Sequence, residues 1–183
     1  MSRAISLPSA SLGAADLAEL SVLVVDDHAN TVRLITDVLR AAGVGKVYSA
    51  PDGICAREQI AQRNPDIIFT DRRMPLMDGL ALTRAIRMAA VRPDSLTPNP
   101  EVPIIMVTGH RSAREVEEAR EAGINEFVMK PFTPAALLSR IQLVLSQPRA
   151  FIVSNVYVGP DRRRRTELSY AGPLRRTSDP DEV

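Results

Sequence analysis

The chain has 183 residues, 45% of them hydrophobic, which suits one domain of ordinary size with extensions better than two full domains. Its formal net charge of +1 is unevenly spread: residues 149–183 carry seven Arg against five acids, leaving 16 basic and 17 acidic residues before them. A single cysteine, Cys55, excludes an internal disulfide and a cysteine-based metal cluster, and no apolar run approaches the roughly 18–20 residues of a membrane-spanning helix. Cys55 reads as small core filler, and the cysteine usage fits a reducing cytoplasm, the expected location.

Residues 1–20 contain one Arg and no sustained apolar core, so they fail as a secretory signal and are expected to form a flexible leader, with DLAEL as one helical turn. From residue 21 to 146, short apolar runs alternate with amphipathic stretches, the mark of a parallel α/β sheet. SVLVVDD, VGKVYSA, DIIFTD, PIIMVTG and EFVMK are the predicted strands, several of them almost continuously apolar, as strands covered on both faces are. TVRLITDVLRAAG sets Val32, Ile35, Val38 and Leu39 on one helical face, with Gly43 as its stop. Ser112 with Glu115 predicts a capping box, Gly123 ends that helix, and Thr133 before Pro134 predicts another helix start. RPDSLTPNPEVP, at 92–103, holds four prolines and is expected to be an irregular surface loop.

Ligands of open parallel sheets bind beyond the carboxyl ends of the strands. Here those ends carry Asp26 and Asp27, Asp71, Thr108, and Lys130 followed by Pro131. Carboxylates gathered at one edge repel each other unless a cation neutralises them, and a hard divalent ion such as Mg²⁺ suits their oxygen atoms. In that setting Asp71 is the candidate nucleophile for a phosphoryl group, Lys130 the partner of its oxygens and Thr108 a hydrogen-bond donor to one of them. Taken singly, these residues read more plainly as caps, turn residues and solvated charges.

LVVDD, DRRMPLMDG from Asp71 to Gly79, VTG around Thr108, and MKPF from Met129 to Phe132 together resemble the CheY-like receiver domain of two-component response regulators. The resemblance covers about residues 21–146 and implies a doubly wound, five-stranded flavodoxin-like (βα)5 fold with flexible N- and C-terminal extensions. It implies Asp71 as phosphoacceptor, Asp26 and Asp27 as the acidic Mg²⁺ pair, the backbone carbonyl of Arg73 as a further metal ligand, and Thr108 as the switch hydroxyl beside Lys130. Phe127 falls at the family's switch aromatic and reads equally as a buried strand residue. A histidine kinase or phosphotransfer protein would supply the phosphoryl group, and a downstream protein target would read it. His28 and His110 flank the pocket and read as loop residues. The Pro-rich loop is longer than the family's usual one, which weakens inference of a partner by analogy.

After Gln147 the periodicity stops, and 147–183 is expected to be an arginine-rich, largely disordered tail, too poor in apolar residues for an output domain. It repeats one pattern, YVGPDRR from Tyr157 and YAGPLRR from Tyr170. Arginine forks suit phosphate and the edge of guanine, the tyrosines offer faces for stacking, and each Gly-Pro is expected to hold a turn. The tail resembles the arginine-rich peptide of a subgroup of CheY-like cyclic di-GMP effectors, which implies Tyr157, Arg162, Arg163, Arg164, Arg165, Tyr170, Arg175 and Arg176 as nucleotide-binding residues. Three readings stay open beside a phosphorylation-switched protein-binding module: a phosphorylation-independent cyclic di-GMP effector, nucleic-acid binding through the arginines, and a merely solubilising tail. DNA is not the expected partner, and no enzymatic turnover beyond slow self-dephosphorylation is expected.

Overall fold

The computed structural model describes residues 14–109 and 112–162. Strand and helix alternate as β1 (Ser21–Val25), α2 (Ala29–Ala41), β2 (Lys46–Ala50), α3 (Gly53–Arg63), β3 (Ile67–Asp71), α4 (Gly79–Met88), β4 (Ile104–Thr108), α5 (Ala113–Ala122), β5 (Glu126–Met129) and α6 (Pro134–Ser146), preceded by the short α1 (Ala14–Glu19). The strands form one parallel sheet of five in the order β2-β1-β3-β4-β5. Side chains alternate faces along a strand, so the continuous apolar runs feed two cores at once. Leu23, Val25, Ile68, Ile104 and Met106 meet α3, α4 and α5 on one side. Val22, Val24, Ile67, Phe69, Ile105 and Val107 meet α2 and α6 on the other. Full burial of a side chain such as Ile35 or Leu39 on α2 stabilises by roughly 1.5–3 kcal/mol.

Local signals set the helix ends. Asp52, Asp78, Ser112 and Thr133 each accept a backbone N–H with the side chain, and Ser112 and Glu115 form the reciprocal box. Gly123 closes α5 at φ 97°, a conformation that favours glycine, and Gly43 follows α2 at φ 90°.

Two boundaries differ from expectation. Residues 14–20 are not a loose leader: Leu17 and Leu20 pack on the α2/α6 core, and the Leu17 and Leu20 carbonyls accept the N–H groups of Gly45 and Lys46. The start of the tail is also built into the fold. β6 (Phe151–Val153) and β7 (Val158–Pro160) form an antiparallel hairpin, closed by a turn in which Ser154 N–H donates to the Tyr157 carbonyl at 2.9 Å. A two-stranded hairpin is marginal alone, so its docking explains its presence. Arg149 pairs with Glu126 at 2.9 Å, the Arg87 guanidinium lies 5.7 Å from the Phe151 ring centre, and Tyr157 Oη donates to the Pro160 carbonyl at 2.7 Å. In this first repeat copy, Gly159-Pro160 therefore lies in a strand and holds no turn. A Cβ at Gly159 would come within 3.0 Å of the Gly123 Cα, so the absence of a side chain lets the hairpin close on the end of α5.

The loop at 92–103 contains no helix or strand, as its prolines imply, but it is anchored. Arg87, at the end of α4, donates to the carbonyls of Pro100 and Val102, to the Gly123 carbonyl and to Asn125 Oδ1. This fully buried arginine joins α4, the loop, the end of α5 and the hairpin. Burial pulls its guanidinium down to about 9 against the opposing influence of Tyr157 and Glu101, which still leaves it charged at neutral pH.

Candidate functional site

The carboxyl ends of β1, β3, β4 and β5 bring Asp26, Asp27, Asp71, Thr108 and Lys130 to one edge of the sheet. Lys130 sits between two acids: its Nζ donates to Asp26 Oδ2 at 2.8 Å and to Asp71 Oδ1 at 2.6 Å. Parallel pairing positions it, because Lys130 N–H donates to the Thr108 carbonyl at 2.8 Å just beyond the last paired residues. The second oxygen of Asp71 accepts the Arg73 N–H at 2.7 Å, and Asp26 Oδ1 accepts the His28 N–H at 2.8 Å. Asp26 is buried, with 2% of its side chain exposed, whereas Asp27 is 31% exposed and faces outward.

Burial, the largest single influence, pushes the Lys130 ammonium down, but the hydrogen bonds and charges of Asp26 and Asp71 together outweigh it and leave it above the usual lysine value. Stabilisation from this ammonium is therefore fully present below the pKa of an unfolded lysine, about 10.4, and is lost as pH climbs through the higher folded value. In urea unfolding, the stability gap between the protein and Lys130→Met should stay level from roughly pH 7 to 9 and close above about pH 10.5.

Gly79 is part of the same construction. A Cβ there would lie 2.1 Å from the Asp71 carbonyl oxygen and 2.8 Å from Thr70 Oγ1. Gly79→Ala must therefore push the Asp71 backbone away, with an expected loss of roughly 1–3 kcal/mol in thermal unfolding and a disturbed Asp71–Lys130 contact.

Ligand atoms of Asp26, Asp27 and His28 all lie within 4.8 Å of one another, while Asp71 is tied to Asp26 through the Lys130 ammonium. His28 is the exposed loop residue before α2 that flanks the pocket, and its Nδ1 lies 2.8 Å from Asp27 Oδ1. Asp26 and Asp71 share one ammonium and Asp27 stands beside Asp26, so the cluster keeps an excess of negative charge and offers mostly hard oxygen donors, a set that fits Mg²⁺.

Arg72 is a residue that the sequence reading passed over. Only 15% of its side chain is exposed, and it reaches from the loop after Asp71 to α5, pairing with Glu118 at 2.8 Å and Glu115 at 3.6 Å. Hydrogen bonds from Arg114 and then Arg72 hold the Glu118 carboxyl below its ordinary range. Arg73 has an exposed side chain, and its backbone N–H is what fixes Asp71. Phe127 is half-buried on β5 and packs against the core shared with α3, α4 and α5. Cys55 is half-buried on α3 and packs against the same core.

Of the tail residues, Tyr157 ends the hairpin turn and Arg162 follows β7, its guanidinium 4.6 Å from the centre of the Tyr157 ring. Arg163, Arg164, Arg165, Tyr170, Arg175 and Arg176 lie outside the described residues, as does His110. Among the described residues, no helix is long and apolar enough to cross a membrane.

Residues 22–142 match the response regulator receiver domain family. The chain is 35% identical to the chemotaxis protein CheY1 of Helicobacter pylori over 127 residues, covering 69% of this chain and 97% of that protein. It is 34% identical to the chemotaxis protein CheY of Pseudomonas aeruginosa, covering 70% of this chain and 98% of the relative. Among solved structures, Vibrio cholerae CheY4 matches with a TM-score of 0.61 and 31% identity over 69% of this chain and 98% of that one. The receiver domain of the Pseudomonas aeruginosa sensor histidine kinase PA1611, solved with a magnesium ion coordinated in its active-site cleft, matches with a TM-score of 0.59 and 31% identity over 69% of this chain and 97% of its own. The chain belongs to the response regulator receiver domain family and carries a CheY-like receiver of two-component signalling.

Proposed function

We propose that the protein is a phosphorylation-switched response regulator that accepts a phosphoryl group on Asp71 and signals through protein contacts. The observation that carries this reading is Lys130, whose single ammonium bridges Asp26 and Asp71 at the strand ends. In the transfer, an Asp71 carboxylate oxygen forms a bond to phosphorus as the bond from phosphorus to the donor's imidazole nitrogen breaks. The product is an acyl phosphate, and the electron pair leaves with the imidazole. Lys130 keeps its proton and follows the charge from the carboxylate to a phosphoryl oxygen, while the Thr108 hydroxyl donates to another. Asp26 and Asp27, with the Asp71 carboxylate and the Arg73 carbonyl, would hold Mg²⁺. When bound, the ion supplies charge neutralisation for the incoming phosphoryl oxygens.

The donor is a histidine kinase or a phosphotransfer protein, and the output is a contact with a downstream protein. Arg72 gives the site a physical route outward, since movement of the loop after Asp71 pulls directly on Glu115 and Glu118 of α5. The chain acts as a phosphate-accepting switch and does not turn over a separate substrate. Incubation with acetyl phosphate and Mg²⁺ should add one phosphoryl mass to the protein, and a protein that stays unmodified would overturn the reading.

A second input is favoured by the Tyr157–Arg162 stack, which brings the first and sixth residues of the YxGPxRR unit together as a base-stacking platform beside an arginine run. We assign this unit, with its second copy, to cyclic di-GMP, whose two guanines and two phosphates suit a repeated element. Calorimetry of cyclic di-GMP with the intact protein and with a chain ending at Gln147 tests it. Binding is expected in the first and absent in the second.

A further inference from the structure

The hairpin and the C-terminal ends of α4 and α5 wall a cleft of about 560 Å³. Helical geometry runs past the end of α4, because the N–H groups of Val91 and Arg92 both donate to the Met88 carbonyl, at 3.0 and 2.8 Å. Arg84, Met88 and Arg92, all at the cleft, therefore stand in one row at four-residue intervals, about 6 Å apart. Both arginines are exposed and make no ion pair among the described residues, and a single acid, Glu121, lines the cleft against them. Arg87 has its donors committed to three carbonyls and Asn125, so it fixes the wall and is not available to an occupant. Met88 and Val91 on one side, with Val153 and Val156 from the hairpin, are 43, 49, 57 and 93% exposed. Apolar side chains gathered and left in water at one place drive association when something covers them.

We propose that this cleft docks an acidic amphipathic helix of a partner protein. The charge pattern selects the occupant. A helix carrying an acid, an apolar residue and an acid at the same four-residue interval sets its carboxylates on Arg84 and Arg92 and its apolar side chain against Met88, Val91 and the hairpin valines. A small anion held inside the cleft would leave Val156 in water, whereas a helix lying across the mouth covers it as well. The hairpin makes the surface, since a receiver ending at α6 would present the row without its second wall. The proposal rests on the reading above only in that the output is a protein contact, and it needs no chemistry at Asp71. α4 starts at Gly79, against Asp71, and ends at Met88, so the cleft lies a helix length of about 15 Å from the phosphorylation site.

The test is fluorescence anisotropy with a labelled helical peptide of about 15 residues that carries Glu, Leu and Glu at four-residue spacing, and with its Lys-for-Glu counterpart. The expected result is binding of the acidic peptide by the intact protein, weakened roughly 10-fold or more by Arg84→Glu/Arg92→Glu and by Met88→Ser/Val156→Ser, and far less by Arg33→Glu/Arg40→Glu on α2 across the sheet. All six positions are exposed, so folding should be retained, which thermal unfolding checks. Arg84→Glu/Arg92→Glu should in turn gain binding of the lysine peptide, and the α2 variant should not. Equal losses in both arginine pairs would reduce the effect to general electrostatics and overturn the proposal, as would binding untouched by Met88→Ser/Val156→Ser. No binding of the acidic peptide by the intact protein would also overturn it, while acetyl phosphate labelling of the same samples decides the Asp71 reading separately. Self-association that Arg84→Glu/Arg92→Glu abolishes, with no peptide bound, would give the cleft to a second copy of this chain and overturn the acidic partner.

Discussion

Asp71→Asn should abolish acyl phosphate formation while leaving the fold in place. The substituted amide has nearly the shape of the carboxylate, and its single oxygen can still accept from either the Arg73 N–H or Lys130, which contact different oxygens of Asp71, but that oxygen is a poor nucleophile and carries no charge. Lys130 keeps Asp26 as its ionic partner, so the ammonium is not stranded. Mass spectrometry after acetyl phosphate and Mg²⁺ reads the loss directly, and thermal unfolding shows that it is chemical. Retained phosphorylation of Asp71→Asn would mean that another residue is the acceptor, with Asp27 next in line at the same edge.

The largest stability effect is expected away from the site, at Arg87. Replacing it with Leu leaves the Gly123, Pro100 and Val102 carbonyls without this donor and also removes the cation beneath Phe151. Each buried acceptor left unpaired costs roughly 1–3 kcal/mol, so a total loss of about 3 kcal/mol or more is expected. For a chain of this size that is roughly a 6–12 °C fall in melting temperature. Arg87→Lys should recover little, because one compact ammonium cannot span acceptors from the loop, the end of α5 and Asn125. Hydrogen exchange at 151–160 and across 97–102 should rise together in the Leu variant, since one side chain holds both segments. A rise in only one of them would contradict the shared anchor.

Much of this architecture was legible because its causes are local. Ile67, Ile68 and Phe69 form an unbroken apolar run because both faces of β3 are covered, and Ser112 with Glu115 announced a helix start that the structure contains. The strand-end acids and Lys130 were legible because a parallel sheet delivers residues from distant segments to one edge. What escaped notice depends on long-range contact. Arg87 lies on the buried stripe of α4 with Leu80, Thr83 and Ile86, and a charge at that spacing was the available signal. Its partners, 13 to 38 residues away, left no local trace. The hairpin was missed for the same reason, since strands of three residues show almost no alternation and Gly159-Pro160 looked like a turn. α1 was reduced to a single turn of a loose leader because its packing partners lie on other elements.

The central claim is that the carboxyl-end cluster is a phosphoryl-accepting site which the rest of the domain reads through Arg72 and α5. Two-dimensional amide NMR of the intact protein with Mg²⁺, before and after addition of beryllofluoride as a phosphoryl mimic, tests it most directly. The predicted result is a set of shifts centred on residues 26–28, 71–73, 108 and 130 and extending to Glu115 and Glu118, all absent in Asp71→Asn. Spectra unchanged by Mg²⁺ and beryllofluoride together would contradict it.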